Sequence, residues 1–281
     1  MTEGKNKNKK LLHAILIAGS LLMLVPLVWM VLTSFKPFTE IVNQPGQWLP
    51  DSWQPGNYWE AFSQFQFSRY FFNSVSLTLL TVIGTLLSCT LTAYAFVAYE
   101  APGKNAIFAI LLSTMMLPAQ VTIIPLFEIF VHLNLLNTYW PMLIPAWMGT
   151  NVFAIFLLRQ FFRNIPREYI EAARIDGASE LWILLHVFIP LAKPALATVA
   201  IFTFLGSWND LFGPLIYLHD SETYTLPLGL LEFMSTVGQA AGTPMHLIMA
   251  VSTIMVIPVV ILFFCAQRTF IAGIQSGGIK G

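Results

Sequence analysis

Charged residues are scarce in this chain. Lys and Arg number 14 and Asp and Glu 14 among 281 residues, 10% in all, against 56% hydrophobic. A soluble domain carries about a quarter charged residues. So few cannot cover a water-facing surface, and lipid is the expected solvent for much of the molecule. The formal net charge is zero, and without a basic excess nucleic acid is not an expected partner. Cysteine is as sparse. Cys89 and Cys265 lie in separate apolar runs, where they read as packing residues, and neither a disulfide nor a metal site is expected. The five histidines lack metal-ligand spacing. No nucleophile–base constellation is visible, so no catalytic residue and no enzyme is expected. Nor is there a G-x-x-x-x-G-K-[ST] run: Gly103-Lys104 lacks the earlier glycine and the following hydroxyl. Beyond a lysine-rich start there is no low-complexity tract, and no internal repeat.

Long apolar runs are what the chain has in abundance. A bilayer core is about 30 Å thick, and a helix rising about 1.5 Å per residue needs roughly 20 apolar residues to cross it. Six runs qualify: 11–32, 71–97, 106–131, 140–158, 187–204 and 245–266. The first follows Lys5, Lys7, Lys9 and Lys10 as a signal peptide would, but it is too long for a signal core and no small-x-small cleavage site follows. It reads as a retained helix. The expected fold class is therefore an all-α integral membrane protein with six transmembrane helices. A basic tail (1–10) precedes a six-span domain (11–266), and a second tail (267–281) follows it.

Six crossings place both termini on one side, and the distribution of Lys and Arg chooses that side. The N-terminal lysines, Lys104, Arg159, Arg163, Arg167, Arg174, Lys193, Arg268 and Lys280 all fall together, and only Lys36 and Arg69 fall opposite. Both termini and a loop at about 159–185 are expected in the cytoplasm. Two outer segments are long, about 33–70 and 206–244. The first holds Trp48, Trp53 and Trp59 among Pro37, Pro45, Pro50 and Pro55. It reads as irregular chain at the membrane surface, with tryptophans at headgroup level. Either segment is a connector or a contact for an external partner. The lysine tail could anchor to anionic lipid.

The loop between spans four and five carries the most pattern. Asn164 and Pro166 signal a helix start. Glu168 and Glu171 suit the positive end of its dipole. Ile170, Ala173, Ala178 and Tyr169 offer a small apolar surface, and Ala172 and Ala173 keep the helix thin. Gly177 after Asp176 stands where a left-handed C-terminal cap is expected. Ser179 is a candidate N-cap for a following helix, and Pro190 and Pro194 bend the chain entering span five. Such a helix–glycine–helix is either a lever between two spans or an amphipathic helix resting on the membrane.

The residues resolve that choice by resemblance. Glu171-Ala172-Ala173, three residues, Gly177, nine residues, then Val187-Phe188-Ile189-Pro190 is similar to the "EAA" loop (E-A-A, x3, G, x9, I-x-L-P) of ABC-transporter permease subunits. Val187 and Ile189 are the departures, both apolar for apolar. Thr33-Ser34-Phe35-Lys36-Pro37, Ser207-Trp208-Asn209-Asp210 with Pro214-Leu215, and the tail Ser276-Gly277-Gly278-Ile279-Lys280-Gly281 resemble the maltose-type six-span permease of the binding-protein-dependent carbohydrate uptake family. The resemblance runs over nearly the whole chain. It implies an importer subunit that translocates a carbohydrate by alternating access, in the cytoplasmic (inner) membrane of a prokaryote. It implies a cytoplasmic coupling helix between spans four and five, with Glu171, Ala172, Ala173, Asp176 and Gly177 docking on an ATPase. It also implies four kinds of partner: a second homologous permease subunit, two ATP-binding subunits, an extracytoplasmic solute-binding protein, and membrane lipid. No cofactor is expected in this chain, since ATP and Mg would sit on the ATPase subunits.

Polar groups at membrane depth are costly, so each is a pathway candidate. Trp208 could stack on a sugar's apolar face while Asn209 and Asp210 meet hydroxyls; the same cluster could instead cap its helix at the interface. Asn151 and Gln120 are weaker candidates of the same kind. Gly84, Ser88 and Thr92, four residues apart, suit close helix packing. An alternative function is an ion-coupled secondary transporter, but it needs ionisable groups in mid-span, and Glu128 is off-centre.

Overall fold

The computed structural model describes residues 2–64, 66–241 and 244–277, with no β-strand among them. In chain order the helices are α1 (Thr2–Ser34), α2 (Phe38–Asn43), α3 (Gly56–Gln64), α4 (Phe67–Ala98), α5 (Lys104–Thr114), α6 (Ala119–His132), α7 (Trp140–Trp147), α8 (Val152–Arg163), α9 (Arg167–Ile175), α10 (Glu180–Ile183), α11 (Ile189–Leu191), α12 (Lys193–Trp208), α13 (Phe212–Tyr217), α14 (Leu226–Ala241) and α15 (Met245–Gly277). A π-helical turn, Leu184–Phe188, joins α10 to α11.

Among the described residues four stretches are helical, long and apolar enough to cross a membrane: Leu12–Ser34, Phe67–Ala98, Trp140–Arg163 (α7 and α8, parted at Met148–Asn151) and Met245–Gln267. They match four of the six expected runs. The run 106–131 differs. It is two helices, α5 and α6, separated by Met115–Pro118. Pro118 has no N–H to give to the residue four before it, and its ring clashes with that carbonyl. The run 187–204 differs too. Glu180–Leu191 and Lys193–Trp208 meet at 81°, so they make a fifth crossing only as a bent pair. Pro190 and Pro194 flank that corner, as expected of residues that cannot continue the ladder.

The chain divides into two compact units. In the first, formed by 1–68 and 229–258, α1 exposes apolar side chains from Leu12 to Val28 on every face, as a helix bathed in lipid does. The segment after it is folded, which corrects the expectation of irregular surface chain. Lys36 is buried at 2% exposure. Its ammonium donates to the Gln47 carbonyl, lies 5.2 Å from the Trp29 ring centroid and sits 3.9 Å from the Glu40 carboxylate. Glu40 accepts from the Asp51 N–H, and Asn57 Nδ2 donates to the carbonyls of Ser34 and Lys36, 2.9 Å each. A buried cation must be paired, and the chain wraps around this one. Trp48 meets Trp29 edge-on and Trp53 lies tilted against Phe35, although both keep about half their surface exposed.

The second unit, 69–228 and 259–281, holds a core of Cys89, Tyr94, Ile155, Leu158, Phe162, Ile170, Ile183, Phe188 and Val199 with their neighbours. These come from α4, α8, α9, α10, the π-turn and α12. One core therefore gathers the long helices and the polar loop between them.

Candidate functional site

The loop is a short helix locked by local chemistry. Pro166 stands just ahead of α9, at φ −57° and ψ 135°. Asn164 does not start this helix; it closes α8, its N–H donating to the Phe161 carbonyl and the next N–H, of Ile165, to the Phe162 carbonyl, 3.1 Å each. At the far end Gly177 takes φ +79°. The Gly177 N–H donates to the Arg174 carbonyl and the Ala178 N–H to the Ala173 carbonyl, 3.1 and 2.9 Å. This pair of bonds is a Schellman cap. Ser179 Oγ then accepts from the Trp182 N–H at 3.3 Å and starts α10, as its position predicted.

The two sides of α9 differ. Ile170 is buried, and Ala173 and Ala178 pack against the same core. Tyr169, Ala172 and Ile175 face away, with Ile175 86% exposed. Tyr169 thus does not join Ile170 and Ala173 on one surface. Glu171, Asp176 and Gly177 are exposed with it.

Glu180 ties the loop both to α4 and to itself. The Tyr94 hydroxyl donates to Glu180 Oε2 at 2.5 Å, and Arg174 Nε donates to Glu180 Oε1 at 2.9 Å. Arg174 Nη2 also reaches the Ala98 carbonyl at the end of α4, 3.5 Å away. The Glu180 carboxylate raises the Arg174 guanidinium above its usual value. Both side chains of that pair are partly exposed, so it is worth only about 0.5 kcal/mol and acts chiefly by fixing position. Beneath it Phe188 sits edge-on between Tyr94 and Phe162, at 4.9 and 5.1 Å. The Ile189 N–H reaches back five residues to Leu184, which widens the helix one turn ahead of its bend.

The pathway candidates are dispersed. Trp208 is 2% exposed, its ring stacked on Phe204 at 5.7 Å and met edge-on by Phe71. One face of the indole is therefore occupied, and a sugar could use it only after Phe204 moved. Asn209 Nδ2 donates to the Leu205 carbonyl of its own helix at 2.8 Å. Asp210 Oδ1 accepts from the N–H groups of Phe212 and Gly213 and caps α13. Asn151 Oδ1 accepts from the Ala154 N–H at 3.0 Å and caps α8. The side chain of Gln120 lies outside the described residues, as does the tail from 278 onward. Gly84, Ser88 and Thr92 pack within the chain: a Cβ on Gly84 would overlap the Trp147 indole, and Ser88 Oγ donates to the Ala146 carbonyl at 2.7 Å.

The capped helix α9 lies within a stretch of chain that has known relatives. Residues 84–276 match the family described as "Binding-protein-dependent transport system inner membrane component". The chain belongs to this family. Among its curated relatives is the "Probable ABC transporter permease protein YurM" of Bacillus subtilis, 36% identical over 256 residues, covering 91% of this chain and 83% of that one. The "Arabinooligosaccharides transport system permease protein AraQ" of Halalkalibacterium halodurans is 33% identical over 99% of this chain and 100% of its own length. A solved structure of a bacterial ABC transporter involved in the import of the acidic polysaccharide alginate matches at a TM-score of 0.82. It is 26% identical and covers 95% of this chain and 98% of that one. This permease is thus the membrane component of an ABC importer and not an enzyme; the ion-gradient alternative finds no support among these relatives.

Two features of the permease were not anticipated from its sequence. Tyr94, buried in an apolar span, gave no sign of reaching Glu180. Asn137 holds φ +58°, and its Oδ1 accepts from the N–H groups of His219 and Asp220 and from Thr223 Oγ1. Asn73 Nδ2 grips the same segment at the carbonyls of Glu222 and Tyr224. The signal available was an Asn-Thr-Tyr-Trp-Pro stretch before a helix, since asparagine tolerates the left-handed region.

Proposed function

We propose that this permease carries a carbohydrate across the cytoplasmic membrane of a prokaryote by alternating access, powered through α9. The observation that carries the proposal is the two-sidedness of that helix. One side is packed into the core shared by α4, α8 and α12, and the other presents Tyr169, Ala172 and Ile175 to solvent. A force applied outside is passed to membrane helices because no flexible linker intervenes. Glu171, Ala172, Asp176 and Gly177 form the docking surface, and Ala173, from the same motif, seats it on the core. ATP and Mg belong to two ATPase subunits, and this chain needs no cofactor. A second permease subunit and an extracytoplasmic solute-binding protein complete the assembly. The chain crosses six times, counting α5 with α6 as one broken crossing and α10–α12 as a bent one. Both tails (1–10 and 267–281) and the loop at 159–185 are then cytoplasmic, and the segments at 33–70 and 206–244 lie outside. Carbohydrate as cargo is supported by the arabinooligosaccharide and alginate systems of its relatives. Trp208, Asn209, Asp210, Asn151 and Gln120 remain the pathway candidates, with rearrangement around Phe204 as the requirement for Trp208.

The test is reconstitution of the complete importer with the Glu171→Lys change. ATP hydrolysis should persist while uptake of a labelled oligosaccharide falls by about tenfold, as expected for loss of a charge-assisted contact. Normal uptake by a well-assembled variant would remove α9 from the coupling path.

A further inference from the structure

We propose that Arg159 and Arg163 form a seat for the phosphate of an anionic lipid, in the leaflet on the same side of the membrane as α9. The two arginines are four residues apart on α8, hence on one face, with Arg159 about 6 Å deeper along the helix axis. Both fall within the candidate span Trp140–Arg163. Arg159 is 8% exposed, and its guanidinium lies 3.8 Å from the ring centroid of Phe108 on α5. Phe108 is itself buried and braced edge-on by Phe96 at 5.3 Å. The Nε of Arg159 is buried with no hydrogen-bond partner. Among the described residues no carboxylate pairs with either arginine; Glu100 holds Lys104 and Arg167, and Glu180 holds Arg174.

Two cations one turn apart repel, and a buried guanidinium with an orphan donor is costly. The aromatic face offsets part of that cost, but it offers no acceptor to Nε and no counter-charge to Arg163. A phosphodiester supplies both: its negative charge sits between the two groups, and its oxygens match the planar fork of arginine. The bilayer is the indicated source. Ile107 and Ile110, on either side of Phe108, are 57% and 65% exposed, so the arginine seat opens beside an apolar surface suited to acyl chains. Basic pockets between membrane helices bind anionic headgroups in this way. The inference requires only that α8 lie in the bilayer, and it stands apart from the coupling role given to α9.

The experiment is native mass spectrometry of the assembled importer, released from detergent after incubation with phosphatidylglycerol, with phosphatidylcholine of the same acyl chains, or with inorganic phosphate. The wild-type complex should retain phosphatidylglycerol in preference to phosphatidylcholine. Arg159→Met and Arg163→Gln should each weaken that retention by about tenfold, leaving phosphatidylcholine unchanged. Arg163 is exposed, so its variant decides the matter should Arg159→Met fail to assemble. Equal retention of the two lipids, or an Arg163→Gln variant indistinguishable from wild type, overturns the proposal. Binding of inorganic phosphate without phosphatidylglycerol assigns the site to a soluble anion and overturns the lipid. Loss of a partner subunit from Arg159→Met with lipid retention intact assigns the arginines to a protein carboxylate and overturns it as well.

Discussion

Gly177 and Gly84 are constrained for opposite reasons, and substitution separates them. At Gly177 an added Cβ meets nothing within 4 Å, but φ is +79°. Gly177→Ala should therefore cost only backbone strain, about 1–2 kcal/mol, concentrated in the cap between α9 and α10. Its signature is a loss of uptake per ATP hydrolysed that exceeds what a drop of a few degrees in melting temperature explains. At Gly84 the obstacle is the Trp147 ring. Gly84→Ala must push that indole aside, a case of overpacking worth about 1–3 kcal/mol, and should lower thermal stability measurably by size-exclusion after heating. A Gly84→Ala complex that melts with wild type would show that Trp147 has room to turn. Gly177 was legible in the sequence because a helix cap is written in adjacent residues. The partner of Gly84 was not, since Trp147 lies on a different helix, and spacing names a small residue without naming what it admits.

Elements were legible as apolar runs, and of their breaks only the bend at Pro190 and Pro194 was. Hydropathy averages over Met115–Pro118 and over Met148–Asn151, where no bend was expected. Asn151 shows the consequence for function. As a polar residue at mid-run it read as a pathway candidate, yet α8 begins at Val152 and the Asn151 side chain caps it. Asn151→Ala should then destabilise the subunit by about 1 kcal/mol and leave the apparent affinity for cargo unchanged, whereas Asn151→Ser, which still caps, should restore stability. A shift in KM with stability intact would return Asn151 to the pathway. The link from α4 to the loop makes a second case. Tyr94→Phe and Glu180→Gln each disturb the same two-bond junction, so their effects on uptake should be non-additive, the double variant being no worse than the poorer single one. Simple additivity would mean that Tyr94 and Glu180 act on the loop separately.

At the scale of the whole molecule, the side on which each loop lies was read from Lys and Arg alone, and it can be tested directly. Ile175 on α9 and Trp59 on α3 are 86% and 79% exposed, so a cysteine at either position is reachable by an aqueous reagent. The native thiols interfere little: Cys89 is buried and Cys265, which is exposed, can be replaced by serine. A membrane-impermeant maleimide added to intact cells should label Trp59→Cys and spare Ile175→Cys. Inverted vesicles should give the reverse pattern, and assembly with the ATPase subunits should then protect Ile175→Cys. The charge rule predicts this because Arg159, Arg163, Arg167 and Arg174 cluster in sequence around α9, while the segments 33–70 and 206–244 hold only Lys36 and Arg69. Labelling of Ile175→Cys from outside the cell would invert the topology and detach α9 from any cytoplasmic motor. Labelling from inside without protection would keep the topology and move the docking contact elsewhere on the loop, with exposed Leu181 and Trp182 the next positions to probe.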